Sequence, residues 1–559
     1  MANLIGLSNE LLLLISAFVH PADILNFSLT CKHFQACFEK TLQRHYVNLT
    51  SLRVSHDRNP MTMLKLLRMV YQDRNTAWYL RVFELWGIRL DWHRWKSWEF
   101  NHSNPYIINE DEDEEKARNW PEPFVDYSNL SADCFMAEEL KFYRSIMLEQ
   151  LRLTEGECET WMGRLEDGCD EPLKGILIAL SEKLERIAFV AYDTWQTDDF
   201  SPKHPLEFLC TSLERLHAMD QPVWPAGFQS LRTINVCQTT DLRHPHEAYY
   251  ANADDIRPLF LLPNIQTLNF SLLGFHNDID AIEVEQMPAK ISSVEKISFY
   301  VCALSYSELV NLIGTARALK ALAFSFTPSR LADLEQFLAK NYADSFEDFI
   351  LQSDEAREEA RRGPRFDPKV LTSFQKLRHI DICCADLWVL PDSDEAAAEE
   401  DAQQASESHP TNGLFFNLQG VLPQSLESVR FLHGPDGLEE VDDRVRLIEG
   451  LKSLVESRAD GSHLALREIC VYDALPADGW DHEFVALQAF AGLVQVCEAY
   501  KIDLHSQYSL AETLDTFVGD GVELELLLKR YAAEHRRLHE SRERIDEPLE
   551  TEPDVDDAL

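Results

Sequence analysis

The sequence predicts an α/β protein in which three short N-terminal helices precede an irregular solenoid of parallel strands with outer helices. Three observations carry that expectation. A six-residue pattern, apolar-x-x-apolar-x-apolar, recurs ten times in order along the chain, segments of helical period fill the gaps between its occurrences, and the first 46 residues differ from the rest in charge and pattern. Strand, helix and strand in succession mean parallel strands joined by crossovers.

The N-terminal helices come first. Ser8 or Asn9 caps the first, with Glu10 in its first turn, where the helix dipole favours an anion. That helix runs to about Phe18. Pro21 suits the first position of a second helix, because its missing N–H is an orphan there anyway. Thr30 is the expected cap of a third, whose apolar residues Phe34, Phe38, Leu42 and Tyr46 recur every four positions. The first helix carries an apolar row of Leu7, Leu11, Ile15, Phe18 and Val19, with Leu12 and Leu13 on other faces. A helix that is apolar nearly all round is buried on more than one side. A segment of about 45 residues buries too little surface to stand alone, so the rest of the chain or a partner covers the remainder. The pattern alone leaves open an ordinary helical core opening a larger domain.

The segment resembles the F-box over roughly residues 4 to 46, with Leu7, Glu10, Leu11, Ile15, Val19, Pro21, Asp23, Ile24, Leu25, Leu29, Lys32 and Phe34 at matching positions. Ser8 replaces the family's proline, and Phe34 stands where tryptophan is common. The resemblance implies docking onto a Skp-family adaptor and, through it, a cullin–RING ubiquitin ligase of the SCF type. The adaptor-facing residues it implies are Leu7, Leu11, Ile15, Val19, Pro21 and Ile24.

The repeated pattern begins at Leu80/Phe83/Leu85 and ends at Leu466/Ile469/Val471. From the second occurrence onward the starts are separated by 47, 34, 29, 25, 27, 31, 49 and 40 residues. The centre of that series approaches the period of leucine-rich repeats, each a strand followed by a helix. Helical signals lie between: a capping box of Ser305 and Glu308, the row Leu331, Leu334, Phe337, Leu338, and the row Val441, Val445, Ile448, Leu451. The asparagine or cysteine expected just past each strand occurs only as Cys302, so a compact α/β domain remains the alternative. Degenerate repeats behind an N-terminal F-box are similar to F-box proteins of the fungal type. In such a solenoid the x positions of the strands face partners. Trp86, Arg186, Tyr300, His379, Arg430 and Tyr472 are the candidate substrate contacts.

The 559 residues hold 95 Asp and Glu against 52 Lys and Arg, a net charge of −43. Phosphate backbones and anionic lipid surfaces both demand cations, so no nucleic-acid or membrane partner is expected. The acidity is uneven: residues 1–50 are neutral, 51–100 carry +4, and the other 459 carry −47. Acidic runs at 109–115 and 392–413 read as insertions in the repeats, and 541–559 as an acidic, disordered tail. The expected organisation is thus 1–50 for the F-box, 51–540 for the repeats, and the tail. Twelve cysteines without a CxxC suit reduced thiols in the cytoplasm or nucleus. The stretch Leu11 to Val19 lacks a basic flank and is far too short to span a bilayer.

Chemistry-bearing motifs are sparse. Arg357, Arg361, Arg362 and Arg365 lie among Glu355, Glu358 and Glu359 at helix-pairing distances. His535 and His539, or His244 and His246, supply too few ligands for a metal. No phosphate-binding or nucleophile-elbow motif occurs, so no active site, metal or cofactor is expected. The reading is a non-catalytic substrate-recognition subunit. Its alternative is a scaffold of F-box and repeats unconnected with degradation.

Overall fold

A computed structural model describes residues 6–16, 18–57, 59, 61–85, 88–96, 130–192, 206–239, 251–252, 256–271, 273–274, 287–300, 302, 304–324, 331–351, 368–383, 418–432, 441–472 and 484–507. Three helices open it: α1 (Asn9–Ser16), α2 (Pro21–Leu29) and α3 (Lys32–Leu52). Pro21 takes the first turn of α2, and His20 caps it, Nδ1 accepting from the Ala22 N–H at 3.2 Å. Thr30 does not cap α3. It closes α2, its hydroxyl donating to the Phe27 carbonyl at 2.7 Å, and Cys31 occupies the cap position of α3. Thr30 keeps helical backbone angles (φ −64°, ψ −31°), whereas Cys31 is extended (φ −159°, ψ 158°), the geometry a cap position requires. Leu12, Phe34 and Phe38 form a small core, with Phe27 stacked on Phe38 at 5.4 Å.

Helix α3 crosses the boundary expected at residue 50, and only Arg53 separates it from β1 (Val54–His56). The remaining strands are β2 (Val82–Leu85), β3 (Arg186–Tyr192), β4 (Thr233–Thr239), β5 (Ala251–Asn252), β6 (Thr267–Ser271), β7 (Leu273–Gly274), β8 (Lys296–Tyr300), β9 (Ala321–Phe324), β10 (Asp348–Leu351), β11 (His379–Cys383), β12 (Ser428–Leu432), β13 (Glu468–Tyr472) and β14 (Asp503–Gln507). Strands β5 and β7 pair separately, and the other twelve form one parallel sheet in chain order.

All ten occurrences of the six-residue pattern fall on strands of this sheet, β2 through β13. The edge strands β1 and β14 escape the pattern. Ser55 and Asp57 replace two of its apolar residues at β1, and Lys501 and Ser506 replace two at β14. An edge strand needs apolar cover from one side only, which relaxes the demand.

Register aligns the apolar positions into continuous rows. Phe270, Phe299 and Phe324 pair across β6, β8 and β9, and their rings stack at 5.7 and 5.6 Å. These rows face the helices: Tyr306–Gly314, Leu331–Tyr342, Pro368–Leu371, Leu418–Val421, Val441–Glu456 and Phe484–Tyr500 pack each against the next over the strand side chains. The Ser305–Glu308 capping box forms, the Glu308 carboxylate accepting from the Ser305 N–H at 2.6 Å. Cys302 is buried, with Sγ 3.3 Å from the Tyr300 carbonyl. Among the described residues no helix is long and apolar enough to cross a membrane.

Trp86, the acidic runs, the arginine cluster, both histidine pairs and the tail lie outside the described residues.

Candidate protein-interaction surfaces

Side chains alternate across a strand, so the residues between the apolar rows share the face turned away from the helices. Its middle row runs, by register, from Glu84 through Ala188, Asn235, Asn269, Ser298, Ala323, Ile350, Asp381, Arg430 and Cys470 to His505. Asn269 Nδ2 donates to Asn235 Oδ1 at 2.7 Å, and the Ser298 hydroxyl donates to Asn269 Oδ1 at 2.6 Å. Asn269 is therefore held on both sides within the sheet, as donor to Asn235 and acceptor from Ser298.

Of the six candidate substrate contacts, Arg186 is half-buried on β3 and Tyr300 half-buried at the end of β8. Three strand spacings, roughly 14 Å, separate them. Tyr472 ends β13 opposite Gln507. His379, Arg430 and Tyr472 lie on the successive strands β11, β12 and β13, each offset from the last by two residues. His379 Nε2 is 3.9 Å from Asp348 Oδ1, and Arg430 reaches Asp381 Oδ1 at 4.0 Å and Glu468 Oε1 at 3.3 Å. Burial pushes the Asp381 carboxyl up to about 7, with Arg430 opposing, and burial also raises Asp348. The five described residues do not form a single pocket, being spread from β3 to β13. The strand pattern puts Asp348, Asp381 and Glu468 at outward positions like the six anchors, and the register makes them neighbours across adjacent strands.

The second surface lies on α1 and α2. With Leu12 and Ile24 turned inward, Leu11, Leu13, Leu14, Phe18, Leu25 and Leu29 stand exposed, Leu14 at 60% and Phe18 at 88%. Six of the fifteen exposed large apolar residues among those described fall within these nineteen positions. A concentration of this kind marks a contact surface. Of the residues expected to face a partner, Leu11 is exposed, Leu7, Ile15 and Val19 are half-buried, and Pro21 and Ile24 are buried within the chain. The exposed set is thus shifted around the helices: Leu12 and Phe27 turn to the core of Phe34 and Phe38, and Ile24 is buried.

Residues 4–42 match the family model for the F-box domain. No curated protein matches the chain. The F-box domain gives the chain a role in protein interaction, and its junction with the sheet is closely packed. His45 Nδ1 lies 3.1 Å from the Tyr79 hydroxyl and its ring 5.6 Å from Trp78, and His20 Nε2 lies 3.5 Å from Glu182. Burial and the Arg81 charge hold His45 below the usual histidine range.

Just past β1, Asp57 opens a buried ionic network. Lys174 Nζ lies 2.7 Å from Asp57 and 2.9 Å from Asp170, and Arg89 Nη1 lies 3.0 Å from Asp170. Arg89 also donates to the Asp57 carbonyl at 2.9 Å. Burial opposes the Lys174 charge, yet Asp170 and Asp57 hold the ammonium above its ordinary range. The network ties the segment after α3 to the helix Glu171–Leu180, so the F-box domain is anchored at both its last helix and the following strand.

Proposed function

We propose that this chain is the substrate-recognition subunit of an SCF-type cullin–RING ubiquitin ligase. The F-box domain docks a Skp-family adaptor through the exposed apolar side chains of α1 and α2. The sheet is the core of a leucine-rich-repeat-like solenoid whose face free of the described helices holds a protein substrate. The observation that carries this reading is the F-box match coinciding with the concentration of exposed apolar residues between Leu11 and Leu29. Strands lying in chain order with a helical layer on one face support the second half.

No chemical group is asked of the chain. Holding a substrate lysine near a ubiquitin thioester carried by other subunits raises its effective concentration, and proximity supplies the rate. On this reading the protein works in the cytoplasm or nucleus.

The test is affinity purification of the wild-type chain and of Leu11→Asp/Leu14→Asp, with mass spectrometry in the presence and absence of a cullin inhibitor. The wild type brings down the adaptor and cullin, the variant loses both, and bound proteins accumulate on inhibition. An adaptor retained by the variant overturns the docking surface. Adaptor binding without accumulation of any bound protein favours the scaffold.

A further inference from the structure

Register polarises the helix-free face in a way that its total charge conceals. Among the described residues its charges from β1 to β9 are Glu84, Arg186 and Lys296, a net of +1, whereas from β10 to β14 they are Asp348, Asp381, Glu468 and Asp503 against Arg430, a net of −3 with histidines neutral. In the first half Asn235, Asn269 and Ser298 are hydrogen-bonded to one another across the strands.

Asp381 is different. It is 5% exposed, no hydrogen bond among the described residues reaches its carboxylate, and the cation paired with it, Arg430, stands at 4.0 Å. The closer contact of Arg430 is to Glu468, at 3.3 Å. A buried carboxylate with one distant counter-charge is poorly neutralised. The surrounding acids do not converge: among the described residues no three His, Cys, Asp or Glu side chains are grouped to hold a metal ion. They are instead spread over four of the five strands β10–β14 at about 4.8 Å per strand, a spacing that suits cations distributed along a polypeptide.

We propose that the β10–β14 half of this face binds a lysine- or arginine-rich segment of the partner protein, one cationic side chain completing the neutralisation of Asp381 while Asp348, Glu468 and Asp503 engage its neighbours. The proposal rests on the receptor reading and names the chemistry of the substrate. It requires basic residues in the bound segment, whatever the rest of the substrate contains.

The probe is a fluorescently labelled peptide of about eight residues alternating lysine and serine, long enough when extended to cover the roughly 20 Å from β10 to β14. Binding to the full chain is followed by anisotropy near physiological ionic strength. Asp381→Asn and, separately, Asp348→Asn/Glu468→Gln each weaken binding about tenfold. Glu155→Gln/Glu159→Gln, which removes two carboxylates paired with Arg144 far along the chain, changes it less than about twofold. Should Asp381→Asn fail to fold, the half-exposed double variant carries the comparison. Equal losses in the control and the face variants, or none in the face variants, overturn the proposal in favour of attraction to the chain's overall acidity. Adaptor binding is measured on the same proteins. A wild type that binds the adaptor but not the peptide sinks this proposal alone, whereas one that binds the peptide through Asp381 but not the adaptor sinks the receptor reading.

Discussion

At Asp381 the fold holds a carboxylate where burial opposes its charge. Its folded pKa, pushed up to about 7, lies above the ordinary carboxylate value of about 4. The folded state therefore keeps a proton that the unfolded chain releases. Stability from this group is complete below about pH 4 and is lost as pH rises through about 7. Asp381→Asn is expected to raise stability at pH 8 by about 1–3 kcal/mol and to flatten its decline between pH 5 and 8, both read from urea midpoints across pH. A charge retained at such cost is what a binding site requires. On α1 the residue scale separates fold from function more sharply. Leu11→Asp/Leu14→Asp, at exposed positions, is expected to shift stability by less than about 0.5 kcal/mol while abolishing adaptor binding. Leu12→Asp puts a charge into the core with Phe34 and Phe38, and loss of helical circular dichroism at lower temperature is the expected result.

Among elements, the apolar rows and the junction network test different physics. Phe299 lies between Phe270 and Phe324 in the stack, and Phe299→Ala should cost about 3–5 kcal/mol by opening a cavity the parallel strands cannot close. Asp170→Ala removes a carboxylate that faces both buried cations, Lys174 and Arg89, and should also cost about 3–5 kcal/mol. Denaturant midpoints distinguish the two, because the ionic loss is partly relieved by Lys174→Met in the same chain whereas the cavity is not. Strands β2 to β13 were legible because a strand covered by helices needs apolar residues at fixed spacing. The Asp57 network was not. A carboxylate at an apolar position reads as a break in the pattern, and its cations arrive from residues 89 and 174 only when the chain folds.

At the scale of the whole molecule, α3 passes into β1 through one residue, and contacts from His45 and His20 brace the F-box domain against the sheet. In a receptor this join fixes the distance between adaptor and substrate. Insertion of Gly-Ser-Gly-Ser between Leu52 and Arg53 is expected to leave adaptor and peptide binding unchanged when each is measured alone, and to lower ubiquitin transfer to a bound substrate severalfold in a reconstituted assay. Undiminished transfer would show that the join carries no geometric information.

The sequence by itself determined the N-terminal helices, the positions of ten strands and their parallel order, since each rests on local periodicity, a proline or a capping residue within a few positions. It also located the F-box segment, whose motif is contiguous. Tertiary structure alone decided which side of α1 and α2 is exposed, because packing of Leu12 on Phe34 and Phe38 sets their rotation. It alone decided that the helix-free face is acidic at one end, because Asp348, Asp381, Glu468 and Asp503 lie on four strands up to 155 residues apart in the chain and only parallel register makes them neighbours.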